Sequence, residues 1–300
     1  MNTTCRICSS DRLRVFLRST TTDPDDSFTL WRCDSCSFIS ILPVPNPETL
    51  KKYYNDDYWA DEKSQRSNLL NILFKIRTKN IIREIKNSLA PAARILDWGA
   101  GDGSLIRLLK QNGFICYGID LYSKSPSNEE LINSSIEEAP FPSESFDAIT
   151  CFHVLEHLEN PVKSMKKAFE LLKQGGTLIL EVPNISSLGF SFFKRRWQPL
   201  ELPTHLNHFN LKSLKHMCSK VGGYEIKKIS HFSHRVSASS LVLSLFPFFS
   251  PKRVRKTHNS TYPKHIMGLY LLLQVLAYPF AILESLLRRG AVIRIFIIKL

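Results

Sequence analysis

Two Cys-x-x-Cys pairs open the chain: Cys5-Arg-Ile-Cys8 and, after a gap of 24 residues, Cys33-Asp-Ser-Cys36. A pair at this spacing sits on a tight turn and aims two thiolates at one point. Two such knuckles form the tetrahedral S₄ ligand set of a Zn²⁺ ion. Four thiolates leave no open coordination position, so the expected zinc is structural; four free or redox-active cysteines are the alternative. A second constellation is Asp97-Trp-Gly99-Ala-Gly101-Asp-Gly103. Glycines there let the backbone approach a ligand closely, and the helix that follows offers unpaired N–H groups to an anionic portion of it. Asp120 lies about twenty residues further on, where a carboxylate can accept both hydroxyls of a ribose. The third group comprises His153 and His157 in Phe152-His-Val-Leu-Glu-His157, and His205 and His208 in Thr204-His-Leu-Asn-His208. An imidazole titrates near neutrality, so each is a candidate to take a proton from an oxygen, nitrogen or carbon nucleophile. Packing or hydrogen bonding alone is the alternative for each.

Short apolar runs alternate with helical patterns around these residues. Arg94–Trp98, Phe114–Asp120, Phe146–Phe152 and Thr177–Val182 read as strands, and Ser104–Gln111 and Pro161–Lys173 as helices, the second ending at Gly175-Gly176. That alternation predicts an α/β fold: a Rossmann-like, doubly wound, mostly parallel sheet covered on both faces. Glu48–Trp59 and Leu69–Leu89 read as helices before it. Lys212–Val221 reads as a helix, Tyr224–Ile229 as a strand, and Arg294–Lys299 as a closing strand. Leu13–Leu17 and Phe28–Arg32 read as strands between the knuckles. The expected division is a zinc-ribbon-like module at 1–45, a helical linker at 46–92, the α/β core at 93–232, an apolar and basic helical insertion at 233–290, and the closing strand at 291–300.

The glycine loop, Asp120 and the strand order together resemble the class I S-adenosylmethionine-dependent methyltransferases over residues 93–232 and the last strand. The resemblance implies that Asp97, Gly99, Gly101 and Gly103 hold the methionine portion of S-adenosyl-L-methionine and that Asp120 binds its ribose. Glu137–Asp147 is similar to the stretch that brackets the adenine. The family often places an Asp just upstream of it, where this chain has Ser135 and Ile136, which implies a backbone contact there. Phe152 to His157 matches the segment lining the methyl-transfer cleft, and Thr204–Phe209 follows the fifth strand, where acceptor-side loops lie. The cysteine module ahead of this core is similar to that of methyltransferases acting on sugars and envelope glycans. Another Rossmann-like cofactor binder is the competing reading of the loop.

Composition narrows the partners. The 300 residues are 43% hydrophobic and 22% charged with 12 Gly and 16 Pro, which excludes collagen-like, disordered and disulfide-scaffold classes. The net charge of +13 is uneven: −4 over residues 1–160 and +17 over 161–300. Residues 236–251 carry no charge, a basic cluster follows at Lys252, Arg253, Arg255 and Lys256, and Ile266–Leu283 is apolar until Arg288-Arg289, apart from Glu284 just beyond it. This insertion is expected to touch an anionic membrane surface through residues 236–289, or else to be buried on the domain or in a homodimer interface. Met1–Ser10 has no apolar core behind a basic start, so a cytoplasmic protein, peripheral at the inner face of the cell membrane, is expected. The leading expectation is methylation of a sugar, glycan or lipid-linked precursor. An RNA base methyltransferase is the runner-up, less favoured because the basic residues alternate with apolar tracts. A non-catalytic zinc-bearing scaffold is the third.

Overall fold

The computed structural model describes residues 4–20, 27–54, 68–121, 130–250 and 264–300. Tyr58 and Trp59 of the expected first helix, and the basic cluster at 252–256, lie outside the described residues. The chain forms two compact units, one of Met1–Gln65, Pro183–Ser213 and Ser230–Ile293, the other of Arg66–Val182, Leu214–Ile229 and Arg294–Leu300.

In the first unit, strands β1 (Leu13–Thr20), β2 (Ser27–Cys33) and β3 (Ile39–Ile41) form an antiparallel sheet. Helix α1 (Pro47–Tyr53) follows, started by Asn46, whose side chain accepts from Thr49 N–H, with proline at the first turn. The remaining elements in chain order are α2 (Asn68–Ser88), β4 (Arg94–Trp98), α3 (Ser104–Gln111), β5 (Ile115–Ile119), β6 (Leu131–Ile132), β7 (Phe146–Phe152), α4 (Pro161–Leu171), β8 (Leu172–Pro183), α5 (Leu188–Phe193), β9 (Asn207–His208), α6 (Leu211–Val221), β10 (Tyr224–Ser230), α7 (Ser237–Leu245), α8 (Lys264–Leu286) and β11 (Val292–Lys299).

The second unit is built on a seven-stranded sheet of order β10-β11-β8-β7-β4-β5-β6, parallel across β6-β5-β4-β7-β8. Its central strands read as continuous apolar runs because both faces are covered. Ile95 and Leu96 are fully buried, and α3 turns Leu105, Ile106 and Leu109 into the same core as Ile81, Ile82 and Ile85 of α2. Each such side chain contributes about 1.5–3 kcal/mol of burial. The closing strand does rejoin the sheet, between β10 and β8, and helix α8 precedes it.

Two boundaries differ from expectation. Helix α4 ends at Leu171, and Lys173–Gly176, read as its C-terminus, belong to β8, which pairs with β7 from Phe146–Leu172 across a register shift. Gly175, at φ +74°, lets the strand make that shift. The second difference is β9. Ile39 pairs with His208 and Ser40 with Asn207, so a segment far along the chain completes the N-terminal sheet in the order β1-β2-β3-β9. Leu30, Ile39, Ile41, Ile185, Phe190, Trp197, Leu200 and Leu206 form that unit's core.

Candidate functional site

The strand-to-helix turn after β4 is shaped by three glycines with left-handed backbones, Gly99 (φ +82°), Gly101 (φ +54°) and Gly103 (φ +70°). The N–H groups of Gly99 and Ala100 both donate to the Ile119 carbonyl, at 2.8 and 3.1 Å, which ties the turn to the end of β5. A Cβ on Gly99 would lie 2.2 Å from Val154 Cγ2, so only glycine permits this approach to the segment after β7. Asp97 is buried at the end of β4 and accepts from Thr150 Oγ1 at 2.6 Å. Asp120 accepts from Gly101 N–H at 3.0 Å, so the second acidic strand end and the loop form one structure. Asp102, just before α3, accepts from Ser104 N–H at 2.9 Å, and the cap position itself is Gly103, which has no side chain to offer. Ile136 is buried, and Ser135 Oγ accepts from Glu138 N–H at 3.2 Å, folding the segment after β6 into a turn. Phe152 packs against the sheet core.

His153, next to this turn, stands at φ +59°, a conformation rare for a residue with a side chain. Its Nδ1 lies 3.1 Å from Glu156 Oε1 and its Nε2 3.2 Å from Glu181 Oε1. Burial would lower this imidazole, but the hydrogen bonds to Glu156 and then Glu181 outweigh it and raise it to about 9. Glu181 goes the other way: burial opposes ionisation, yet Arg294 and His153 hold it at about 2. His157 ends the short 3₁₀ turn Leu155–His157, half-buried.

Of the four histidines, these two lie in the second unit and the other two in the first. There His205 is buried, with Nδ1 2.9 Å from the Pro199 carbonyl and Nε2 3.4 Å from Glu201 Oε2. His208 sits in β9, buried, its ring centroid 6.5 Å from that of His205. Glu181 and Arg294 carried no signal in sequence, because a charged residue inside an apolar strand shows its partner only once the strands are assembled, and Glu201 lies in a loop with no periodicity to single it out.

The four knuckle cysteines converge. Their sulfurs lie within 4.8 Å of one another, with Cys5 to Cys36 and Cys8 to Cys33 both at 3.5 Å. Zn–S bonds of about 2.3 Å put tetrahedral sulfurs about 3.8 Å apart, so this set fits the ion in distance as well as in donor type. The knuckles share one local geometry. Ser9 N–H donates to Cys5 O and Ser37 N–H to Cys33 O, and each serine adopts a positive φ, 59° and 64°. Arg6, inside the first knuckle, donates to Asn207 Oδ1 at 3.1 Å and to Ile41 O at 2.6 Å, tying β9 and β3 to it. Cys116, Cys151 and Cys218 are buried apart from this cluster; burial pushes the Cys116 and Cys218 thiols up to about 12 and Cys151 up as well.

A family described as a methyltransferase domain matches residues 67–226, more than half of the chain. The chain belongs to it. It carries a methyltransferase domain. A ubiquinone biosynthesis O-methyltransferase of Coxiella burnetii (strain Dugway 5J108-111) is 27% identical over 150 residues, which cover 46% of this chain and 62% of the relative. The corresponding protein of Xanthomonas campestris pv. campestris (strain B100) is 34% identical over 113 residues, 34% of this chain and 47% of its own. The match thus spans less than two thirds of either relative. A crystal structure of a SAM-dependent methyltransferase from Archaeoglobus fulgidus shares the fold, with a TM-score of 0.50 at 21% identity over 81% of this chain and 99% of that one. The glycine turn fits the family's cofactor: the left-handed backbones of Gly101 and Gly103 lie beside a carboxylate at the end of β5.

Proposed function

We propose that this methyltransferase modifies a sugar, glycan or lipid-linked small molecule while resting on the cytoplasmic face of a membrane. The observation carrying the reading is the surface of α8. Among the described residues it is the one helix long and apolar enough to cross a membrane, His265–Leu286, and only 11% of its most apolar stretch is buried. Leu272, Val275 and Leu286 are exposed on it, and Arg288 and Arg289 follow its end. Arg196 donates to Leu245 O at the end of α7, and Arg289 donates to Ser191 Oγ on α5, so cations flank the apolar surface. An apolar face rimmed by arginines suits an interface with anionic headgroups better than aqueous exposure. The likeness to O-methyltransferases of ubiquinone biosynthesis supports a small acceptor in preference to RNA.

When bound, S-adenosyl-L-methionine supplies a methyl group already activated on a sulfonium. Asp97, Gly99, Gly101 and Gly103 would hold it, with Asp120 on the ribose, Ser135 and Ile136 at the adenine and Phe152 lining the cleft. The protein's remaining task is to orient the acceptor and take its proton. In this reading either His205 or His208 serves as base or orienter. His153 already donates from both nitrogens and acts as a fixed cation that positions the turn, with His157 supporting the same segment. One structural Zn²⁺ on Cys5, Cys8, Cys33 and Cys36 holds the N-terminal sheet together.

Incubation of the purified chain with radiolabelled methyl donor and cell extract, followed by separation of lipid, nucleotide-sugar and RNA pools, tests the substrate class. Label in the lipid or sugar pool supports the proposal, and label confined to RNA would refute it.

A further inference from the structure

Helices α5, α7 and α8 border an open groove of about 440 Å³. Thirteen of its fourteen lining residues are apolar, among them Phe192, Leu241, Leu276, Ala277 and Phe280; the other is Glu284. A volume in this range takes a small organic ligand. The carboxyl of Glu284 is only 6% exposed. It accepts from the Gly189 N–H, yet its Oε2 has no hydrogen-bond partner among the described residues. A buried acceptor left unpaired at the end of an apolar groove is costly to the free protein, and a ligand donor that reaches it recovers that cost.

We infer that this groove binds the hydrocarbon chain of a single-chain amphiphile whose terminal hydroxyl donates to Glu284. The chemistry separates this ligand from the alternatives. A fatty acid would place a second carboxylate against Glu284, and a purely hydrocarbon ligand would leave Oε2 unpaired. Burial also raises Glu284 to about 7, so above neutrality the ionised carboxylate prefers a donor and disfavours an anion. The backbone is fitted to the arrangement: a Cβ on Gly189 would lie 3.2 Å from Trp197 Nε1, and glycine there lets α5 lie against the tryptophan while its N–H meets Glu284. The inference does not depend on the acceptor's identity; the groove shares Leu276 and Phe280 with the exposed face of α8, and a titration made without lipid reads the groove alone.

Calorimetric titration of the full-length, zinc-loaded protein with 1-decanol and with decanoate at pH 8 tests it. The expected result is saturable uptake of one decanol per chain and at least tenfold weaker decanoate. Ala277→Phe should fill the groove and weaken decanol at least tenfold at an unchanged melting temperature. Leu241→Trp provides the same test if the first variant does not fold. Glu284→Gln should narrow the preference for decanol over decanoate to less than threefold. Non-saturable uptake, equal affinity for the two ligands, or filled variants that change oligomeric state while binding decanol normally would each overturn the proposal.

Discussion

Arg294, in the last strand, places its Nε 2.8 Å from Oε2 of Glu181 in β8, both side chains buried. The pair extends in both directions: Arg294 Nη1 lies 3.3 Å from Glu84 on α2, and the other oxygen of Glu181 faces His153 beside the glycine turn. Alternating charges therefore run from α2 through two strands to the cofactor-side loop. Removing one member leaves the others buried and uncompensated, which costs about 3–5 kcal/mol. Arg294→Met should destabilise the protein by about that amount in urea unfolding, and Arg294→Met with Glu181→Gln should be less harmful than the single change.

The same network sets a pH dependence. His153 is raised from 6.5 to about 9, so its contribution is complete below pH 6.5 and is lost as pH rises through 9. Glu181 is lowered from 4.5 to about 2, so its contribution is complete above 4.5 and is lost as pH falls through 2. Stability from this source is therefore greatest between pH 4.5 and 6.5 and declines toward pH 9, by at most about 3 kcal/mol. Urea midpoints across that range should show the alkaline decline in the native chain and a flatter profile in His153→Gln.

At Gly99, Ala meets both an unfavourable φ and Val154 Cγ2 at 2.2 Å. The strain and overpacking amount to roughly 2–4 kcal/mol. Gly99→Ala should weaken cofactor binding at least tenfold and lower the melting temperature by several degrees. Adding Val154→Ala should recover part of both losses, because it removes the clash but not the φ strain.

The cysteines should divide four to three. The converging set is expected to hold one zinc per chain and to react with thiol reagents once a chelator removes it. Cys116, Cys151 and Cys218, buried with raised thiols, should stay unreactive until the protein unfolds. Four reactive thiols in the untreated, folded protein would contradict the zinc assignment.

The cofactor turn was legible because its requirements are local: glycines at fixed offsets, an acidic strand end, and apolar runs of strand length on either side. The closing strand was legible for the same reason, since Arg294–Lys299 is apolar throughout its middle. The pairing of His208 with Ile39 was not, because a two-residue strand has no periodicity and its partner lies far away in sequence. Thr204–Phe209 read as an acceptor-side loop, and its Asn207 and His208 also complete the N-terminal sheet. The C-terminus of α4 was misplaced because Gly175-Gly176 resembles a helix stop, while the chain uses the pair inside a shifted strand. Hydropathy identified α8 as apolar but could not indicate which of its residues cover α7 and which face outward; that depends on the neighbouring helices.

The most direct test is a calorimetric titration of the zinc-loaded protein with S-adenosyl-L-methionine and its demethylated product, in the native chain and in Asp120→Ala. One site per native chain is expected, weakened about tenfold or more when the carboxylate is removed. No binding of either compound to the folded protein, accompanied by saturable uptake of NAD, would contradict the account.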